Sequence, residues 1–174
     1  PSPRPSHSNS NNSRIVQRNP VDLSYVSQLG QFTGVTYKSL QFLSNGVLSI
    51  TNDGTYYYVT DNIYNRLLKF KLSDNSCVSQ IGSSGTGNDQ FQYPYGLTSD
   101  GTYLYICDSN NNRIVKRLAS DRSYVSQIGT VGSGNDQFNF PIGATNDGTY
   151  LYITDLSNIR IVKRLLSDLS YVSQ

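Results

Sequence analysis

Six aspartates stand in this chain where carboxylate chemistry could be done, and they fall in two registers. Asp53, Asp100 and Asp147 each precede a glycine, while Asp61, Asp108 and Asp155 each close an apolar run five residues ahead of Arg66, Arg113 or Arg160. A carboxylate can serve as general acid or base, nucleophile or metal ligand. A catalytic group is needed once, however, and these recur in every copy of the pattern. Recurrence assigns them to turn formation and to ion pairing with the arginines. His7, the sole histidine, lies in the stretch PSPRPSHSN, so neither a His-rich zinc site nor a Ser-His or Cys-His pair can be assembled from the sequence. No catalytic residue, metal ligand or cofactor is expected, and the chain reads as non-enzymatic.

The remaining chemistry-bearing groups also follow the repeat or depart from it singly. Cys77 stands where sister positions hold Tyr25, Tyr124 and Tyr171, and Cys107 where they hold Thr60 and Thr154. Single substitutions of this kind predict two unpaired, largely buried thiols rather than a disulfide framework. The pairs Lys116-Arg117 and Lys163-Arg164 predict solvated or inter-blade charge. With 14 basic and 12 acidic residues spread through every repeat, there is no one-sided basic stripe, and nucleic acid is not an expected partner. Asn11-Asn12-Ser13 is a lone glycosylation sequon. No apolar run reaches the ~20 residues of a membrane-spanning helix.

What must position these residues is a tandem repeat. RIVQRNPVDLSYVSQ, RLLKFKLSDNSCVSQ, RIVKRLASDRSYVSQ and RIVKRLLSDLSYVSQ begin at Arg14, Arg66, Arg113 and Arg160, the last three spaced by 47 residues. The units 81–127 and 128–174 agree at 33 of 47 positions. Internal periodicity of this length decides the architecture before local propensity does. Within the unit from Ile81, a glycine-rich loop leads to Tyr95–Ser99, and strands over Tyr103–Cys107, Arg113–Leu118 and Ser123–Ile128 follow. They are separated by Asp100-Gly101, Asp108 to Asn112 and Ser120-Asp121. Four short antiparallel strands per unit predict an all-β chain of β-propeller-type blades, about three and a half of them. The expected segments are a Pro/Ser/Asn-rich stretch at 1–13, a half-blade of two outer strands at 14–28, and blades at 29–80, 81–127 and 128–174. The first blade carries five extra residues.

The blade units resemble NHL repeats. Phe91-Gln-Tyr-Pro94-Tyr-Gly96, Asp100-Gly101, Leu104-Tyr-Ile-Cys-Asp108 and Asn112-Arg113-Ile114 match that pattern, as do Phe138-Asn-Phe-Pro141-Ile-Gly143 and Asp155 through Arg160-Ile161. The first unit departs from it at Phe42 and Asn45-Gly46-Val47, which points to a remodelled opening loop. The resemblance implies a propeller used for binding. It also brings two alternatives, an RNA-binding NHL propeller and a piece of a propeller lyase or lactonase; the lyases of this kind hold metal through several histidines, which this sequence lacks.

Two surfaces emerge as candidates. The two final units differ at Tyr95/Ile142, Leu97/Ala144, Ser109/Leu156, Asn110/Ser157 and Asn112/Ile159, positions in the opening loop and second turn that a propeller brings to one face. Tyr93, Tyr95, Asn110, Asn112, Phe140, Ile142, Leu156 and Ile159 are the expected binding face, suited to a protein or glycan. Phe91 and Phe138 recur in register and are expected to pack between blades. An open row of blades also leaves apolar faces and strand edges in water. Assembly of identical chains into a homo-oligomer or filament is therefore expected, with Ile15, Val16, Tyr25, Val26 and Ser27 of the half-blade pairing with another subunit. The weakly charged, Ser/Asn/Tyr-rich composition fits a secreted or cell-surface protein.

Overall fold

A computed structural model of the chain describes Ile15–Arg18, Tyr25–Leu29 and residues 47–174. His7, the sequon at Asn11 and the opening loop of the first blade lie outside the described residues. Two units are distinguished, residues 1–45 and 46–174. In the first, β1 (Ile15–Arg18) and β2 (Tyr25–Leu29) form an antiparallel pair, with Ile15 opposite Leu29 and Arg18 opposite Tyr25.

The second unit is three four-stranded antiparallel sheets, each in chain order from inner to outer strand. The first blade holds β3 (Val47–Asn52), β4 (Tyr56–Asp61), β5 (Arg66–Lys71) and β6 (Cys77–Ile81). The second holds β7 (Pro94–Ser99), β8 (Tyr103–Asp108), β9 (Arg113–Leu118) and β10 (Tyr124–Ile128). The third holds β11 (Pro141–Asn146), β12 (Tyr150–Asp155), β13 (Arg160–Leu165) and β14 (Tyr171–Ser173). The sheets do not close into a ring.

Local chemistry explains why the chain turns where it does. At the first turn of each blade the aspartate is an acceptor for its own backbone: Asp100 Oδ1 accepts the Thr102 and Tyr103 amides at 2.8 and 2.6 Å, and Asp53 and Asp147 repeat the pattern. Such side-chain bonds offer the backbone a tight turn in place of a continued ladder. Gly101, at φ +92°, then takes a conformation that a Cβ would strain. The second turn is a short 3-10 segment at Ser109–Asn111 and again at Leu156–Asn158, each ended by a left-handed residue, Asn112 or Ile159. At the third turn Asp74, Asp121 and Asp168 accept the amides of Ser76, Ser123 and Ser170.

The core lies between blades rather than inside any one of them. Alternation along β8 sends Leu104 and Ile106 toward the first blade and Tyr105 and Cys107 toward the third. The first interface packs Tyr58, Leu67, Phe91, Leu97, Leu104, Ile106, Val115 and Ala119. Its successor packs Tyr105, Cys107, Ile114, Phe138, Leu151, Ile153, Val162, Leu166 and Leu169. Each fully buried leucine or isoleucine there contributes about 1.5–3 kcal/mol, so a blade is stable only against a neighbour. The inner strands come close enough that a Cβ on Gly96 would meet the Gly143 Cα at 2.8 Å. Glycine is required at that crossing.

Candidate functional site

The recurring aspartates are fully engaged in the fold. Asp108, wholly buried, pairs with Arg113 at 2.7 Å and accepts the Gln92 amide at 2.6 Å and Asn111 Nδ2 at 2.8 Å. Asp155 repeats the set with Arg160, the Asn139 amide and Asn158, and Asp61 pairs with Arg66 at 2.9 Å. Burial pushes the Asp108 carboxyl up, against the pull of Asn111, the Gln92 amide and Arg113. The other face of the ion pair fastens the glycine-rich loop: Arg113 also donates to the carbonyls of Thr86, Gly87 and Gln90. That loop has no sequence periodicity, yet it is pinned. Arg117, wholly buried, holds its far side through Asp89, and Arg164, also wholly buried, holds the third blade's loop through Asp136. Among the described residues no three His, Cys, Asp or Glu side chains come together as a metal-binding group.

Lys69 and Lys116 are latches between blades. Lys69 Nζ donates to the carbonyls of Ala119 and Ser120 at 3.0 and 2.8 Å. Lys116 Nζ makes the same two bonds one blade further on, to Leu166 at 2.7 Å and Ser167 at 3.0 Å. A tyrosine accompanies each lysine: Tyr58 and Tyr105 bond both their own turn aspartate and the Ala119 or Leu166 carbonyl. Burial lowers the Lys116 pKa and raises that of Tyr105. Of the two sequence readings for the Lys116-Arg117 pair, solvated or inter-blade charge, Lys116 takes the second, and Lys69 is held in the same way. Cys107 is buried as expected and its thiol is pushed up to about 12 by burial. Cys77 departs from expectation, being only half-buried, because it sits on the outer strand β6, where alternate residues face solvent.

The expected binding face is assembled by hydrogen bonds between turns and opening loops. Within the second blade the Ser109 and Asn110 amides donate to the Tyr93 and Gln92 carbonyls, and within the third the Leu156 and Ser157 amides donate to Phe140 and Asn139. Between blades the Tyr93 amide donates to Asn65 Oδ1 at 2.8 Å and the Phe140 amide to Asn112 Oδ1 at 2.9 Å. Tyr93, Asn110, Asn112 and Phe140 take part in these bonds, and the Tyr95 and Phe140 rings meet edge-on at 5.5 Å. Tyr93 is 45% exposed. Phe91 and Phe138 are wholly buried in blade packing. Asn112 makes its bond to Phe140 at the junction between the second and third blades, and the third blade has Ile159 at the corresponding position.

Leu156 and Ile159 open onto a second feature, the uncovered face of the third blade. Leu156, Ile159 and Ile161 are 52%, 94% and 60% exposed, and with Thr154, Asp155 and Arg160 they line a shallow groove of about 370 Å³. Ile159 holds φ +53°, a left-handed conformation that is an outlier for a β-branched residue. Sequence reasoning missed Tyr152, Thr154 and Ile161 on this face and gave Lys163 only as solvated or inter-blade charge. Their signal was the register they share with Tyr58, Thr60, Leu67 and Lys69, but that register reads as blade interior until the end of the row is seen.

The strand pair β1–β2 has the register of the outer strands β9–β10. Each described inner pair already carries its own outer pair, so an identical copy offers β1–β2 no vacant inner edge among the described residues.

Neither a family model nor a curated relative matches the sequence. Solved structures do match, and they place the chain among β-propeller-type folds. Hydrazine synthase of Kuenenia stuttgartiensis is 16% identical at TM-score 0.58, over 83% of this chain and 38% of that one. Glutaminyl cyclase of Myxococcus xanthus is 9% identical at 0.60, over 91% and 60%, and an auxiliary nutrient binding protein of Bacteroides thetaiotaomicron is 17% identical at 0.60, over 88% and 43%. The chain thus spans about two fifths to three fifths of their length.

Proposed function

We propose that this chain is a non-enzymatic propeller module of NHL-like repeats that acts by binding and by assembling with further copies of itself, outside the cell or at its surface. The observation that carries this reading is the exposed apolar face of the third blade, where Ile159 and Ile161 stand exposed at positions whose counterparts Asn112 and Ile114 are half-buried and fully buried. Exposed apolar patches of this kind mark interaction surfaces. The side with Tyr93, Tyr95 and Phe140 is the surface for a protein or glycan ligand, since aromatic rings give large contact area at low entropic cost. Against an enzyme stands the engagement of Asp61, Asp108 and Asp155, whose oxygens are taken up by arginine and backbone donors. Against RNA stands the use of Lys69, Lys116, Arg117 and Arg164 inside the blades. Light scattering tests the assembly part: a mass above the 19.3 kDa of one chain is expected at about 100 μM, well beyond the micromolar range of specific association. A monomer at that concentration would remove it.

A further inference from the structure

We infer that the opening loop and second turn of the second blade bind a neutral glycan, with Tyr93 as its stacking platform and Gln92 and Asn110 as its hydrogen-bonding amides. This rests on the reading of Tyr93, Tyr95 and Phe140 as a ligand surface and names the class of ligand. The platform is set before any ligand arrives. Tyr93 and Phe140 hold φ +51° and +62°, a left-handed backbone uncommon for residues other than glycine. Each is fixed there by donating its amide to an asparagine of the preceding blade, Asn65 or Asn112. Backbone strain of this kind gathers at ligand clamps. The Tyr93 carbonyl accepts the Ser109 amide at 3.4 Å and the Gln92 carbonyl accepts the Asn110 amide at 3.1 Å. Gln92, Tyr93 and Asn110 are thus tied together through their backbones, with Tyr93 and Asn110 exposed and Gln92 half-buried.

Two of these amides are left over from the fold. Asn65, Asn111 and Asn112 spend their side chains on neighbouring loops and turns, whereas the Gln92 and Asn110 side chains enter no hydrogen bond among the described residues. Charge then selects the ligand. Residues 91–96, 109–112 and 138–143 include no charged side chain, and Asp108 and Arg113, on either side of the second turn, are buried in their ion pair. A nucleic acid needs exposed cations, and the core of a protein interface draws on arginine and methionine beside its aromatics. Here the groups on offer are rings and amides. A pyranose fits both: its polarised C–H bonds meet the negative face of a ring, and its hydroxyls, donor and acceptor at once, meet amides that are also both. The edge-on contact of Tyr95 with Phe140 carries the aromatic surface on to the third blade, which suits a chain of several sugars.

Isothermal titration calorimetry of the full chain tests the assignment, with the hexasaccharides of cellulose, mannan, laminarin and chitin as neutral probes and that of polygalacturonate as the acidic one. Saturable heat is expected with at least one neutral probe and none with the acidic one. Tyr93→Asn removes the ring while suiting the left-handed backbone, so the fold is kept, and it is expected to raise the Kd at least ~10-fold. Tyr93→Phe, which keeps the ring as Phe140 does, should bind nearly as well, and Asn110→Ala should weaken binding about 5-fold. Val125→Ala, on the outer strand β10 and 41% exposed, should change nothing. No heat with any neutral probe, or heat with the acidic probe alone, would overturn the glycan, and binding that Tyr93→Asn leaves intact would overturn the platform. Sedimentation velocity on the same samples reads assembly separately. An assembling chain that takes no neutral sugar ends this inference and leaves the assembly reading standing, with a protein as the ligand still to be sought.

Discussion

The Lys116 ammonium lies 2.7 Å from the Leu166 carbonyl, across the boundary between the second and third blades. That contact and its partner at Ser167 make lysine a structural residue of the row, and they separate it from Lys163, which occupies the same register on the third blade with no such carbonyl pair among the described residues.

Lys116→Met is therefore expected to destabilise the chain by about 2 kcal/mol, because two turn carbonyls lose a buried donor. Lys163→Met should cost less than that, since half-buried Lys163 loses only its contacts with the Tyr150 and Tyr152 rings. Urea unfolding at dilution below any assembly gives both values. Equal losses would show that the latch carries no stability.

Ile159→Asn should stabilise the isolated chain by about 1 kcal/mol. An L-residue in the left-handed region pays about 1–2 kcal/mol, and asparagine pays less than a β-branched side chain; Asn65 and Asn112 already hold that conformation in the sister blades. The midpoint of thermal unfolding is the readout, and a decrease would contradict the strain assigned to Ile159.

Acid should weaken the fold through the turn aspartates. The Asp147 carboxyl is held below its ordinary value of 3.8 by the Tyr150 and Thr149 amides and the Tyr152 hydroxyl. Asp53 is also lowered: burial opposes the shift, but the Tyr58 hydroxyl and the Tyr56 and Thr55 amides outweigh it. A depressed folded value means stability that is present above 3.8 and lost as pH falls through the lower, folded value. Unfolding temperature should fall between about pH 5 and pH 2, and Asp147→Asn should flatten part of that slope. An unchanged slope would mean that Asp147 is not linked to folding.

The two thiols should separate cleanly. Cys107, buried and pushed up to about 12, stays unmodified in the native chain, since the thiolate is the reactive form. Cys77, half-buried and raised by burial, reacts slowly. Mass spectrometry after brief alkylation should find one adduct, on Cys77, and a second only after unfolding. Prompt labelling of Cys107 would place it outside the blade core.

Strand positions were legible because β-rich runs and turn formers alternate so regularly. Arg113–Leu118 is the strand expected, while β8 runs one residue past Cys107 because Asp108 still pairs across to Arg113. The ion pairs of Asp61, Asp108 and Asp155 were legible for the same reason, as repetition gave their role. The latches were not, because a backbone carbonyl leaves no mark in sequence and Lys116 reaches one fifty residues away. Nor were the left-handed Tyr93 and Phe140, at φ +51° and +62°, since aromatic residues give no turn signal. Ile159 could be seen to differ from Asn112, but its meaning depends on the amide that Asn112 accepts from Phe140.

Electron microscopy of the purified chain tests the central claim most directly, because blades can be counted in the particle. The account predicts particles in which the third blade is followed by another, as a ring or as a longer row. Particles of three blades with that face bare in solution would contradict it.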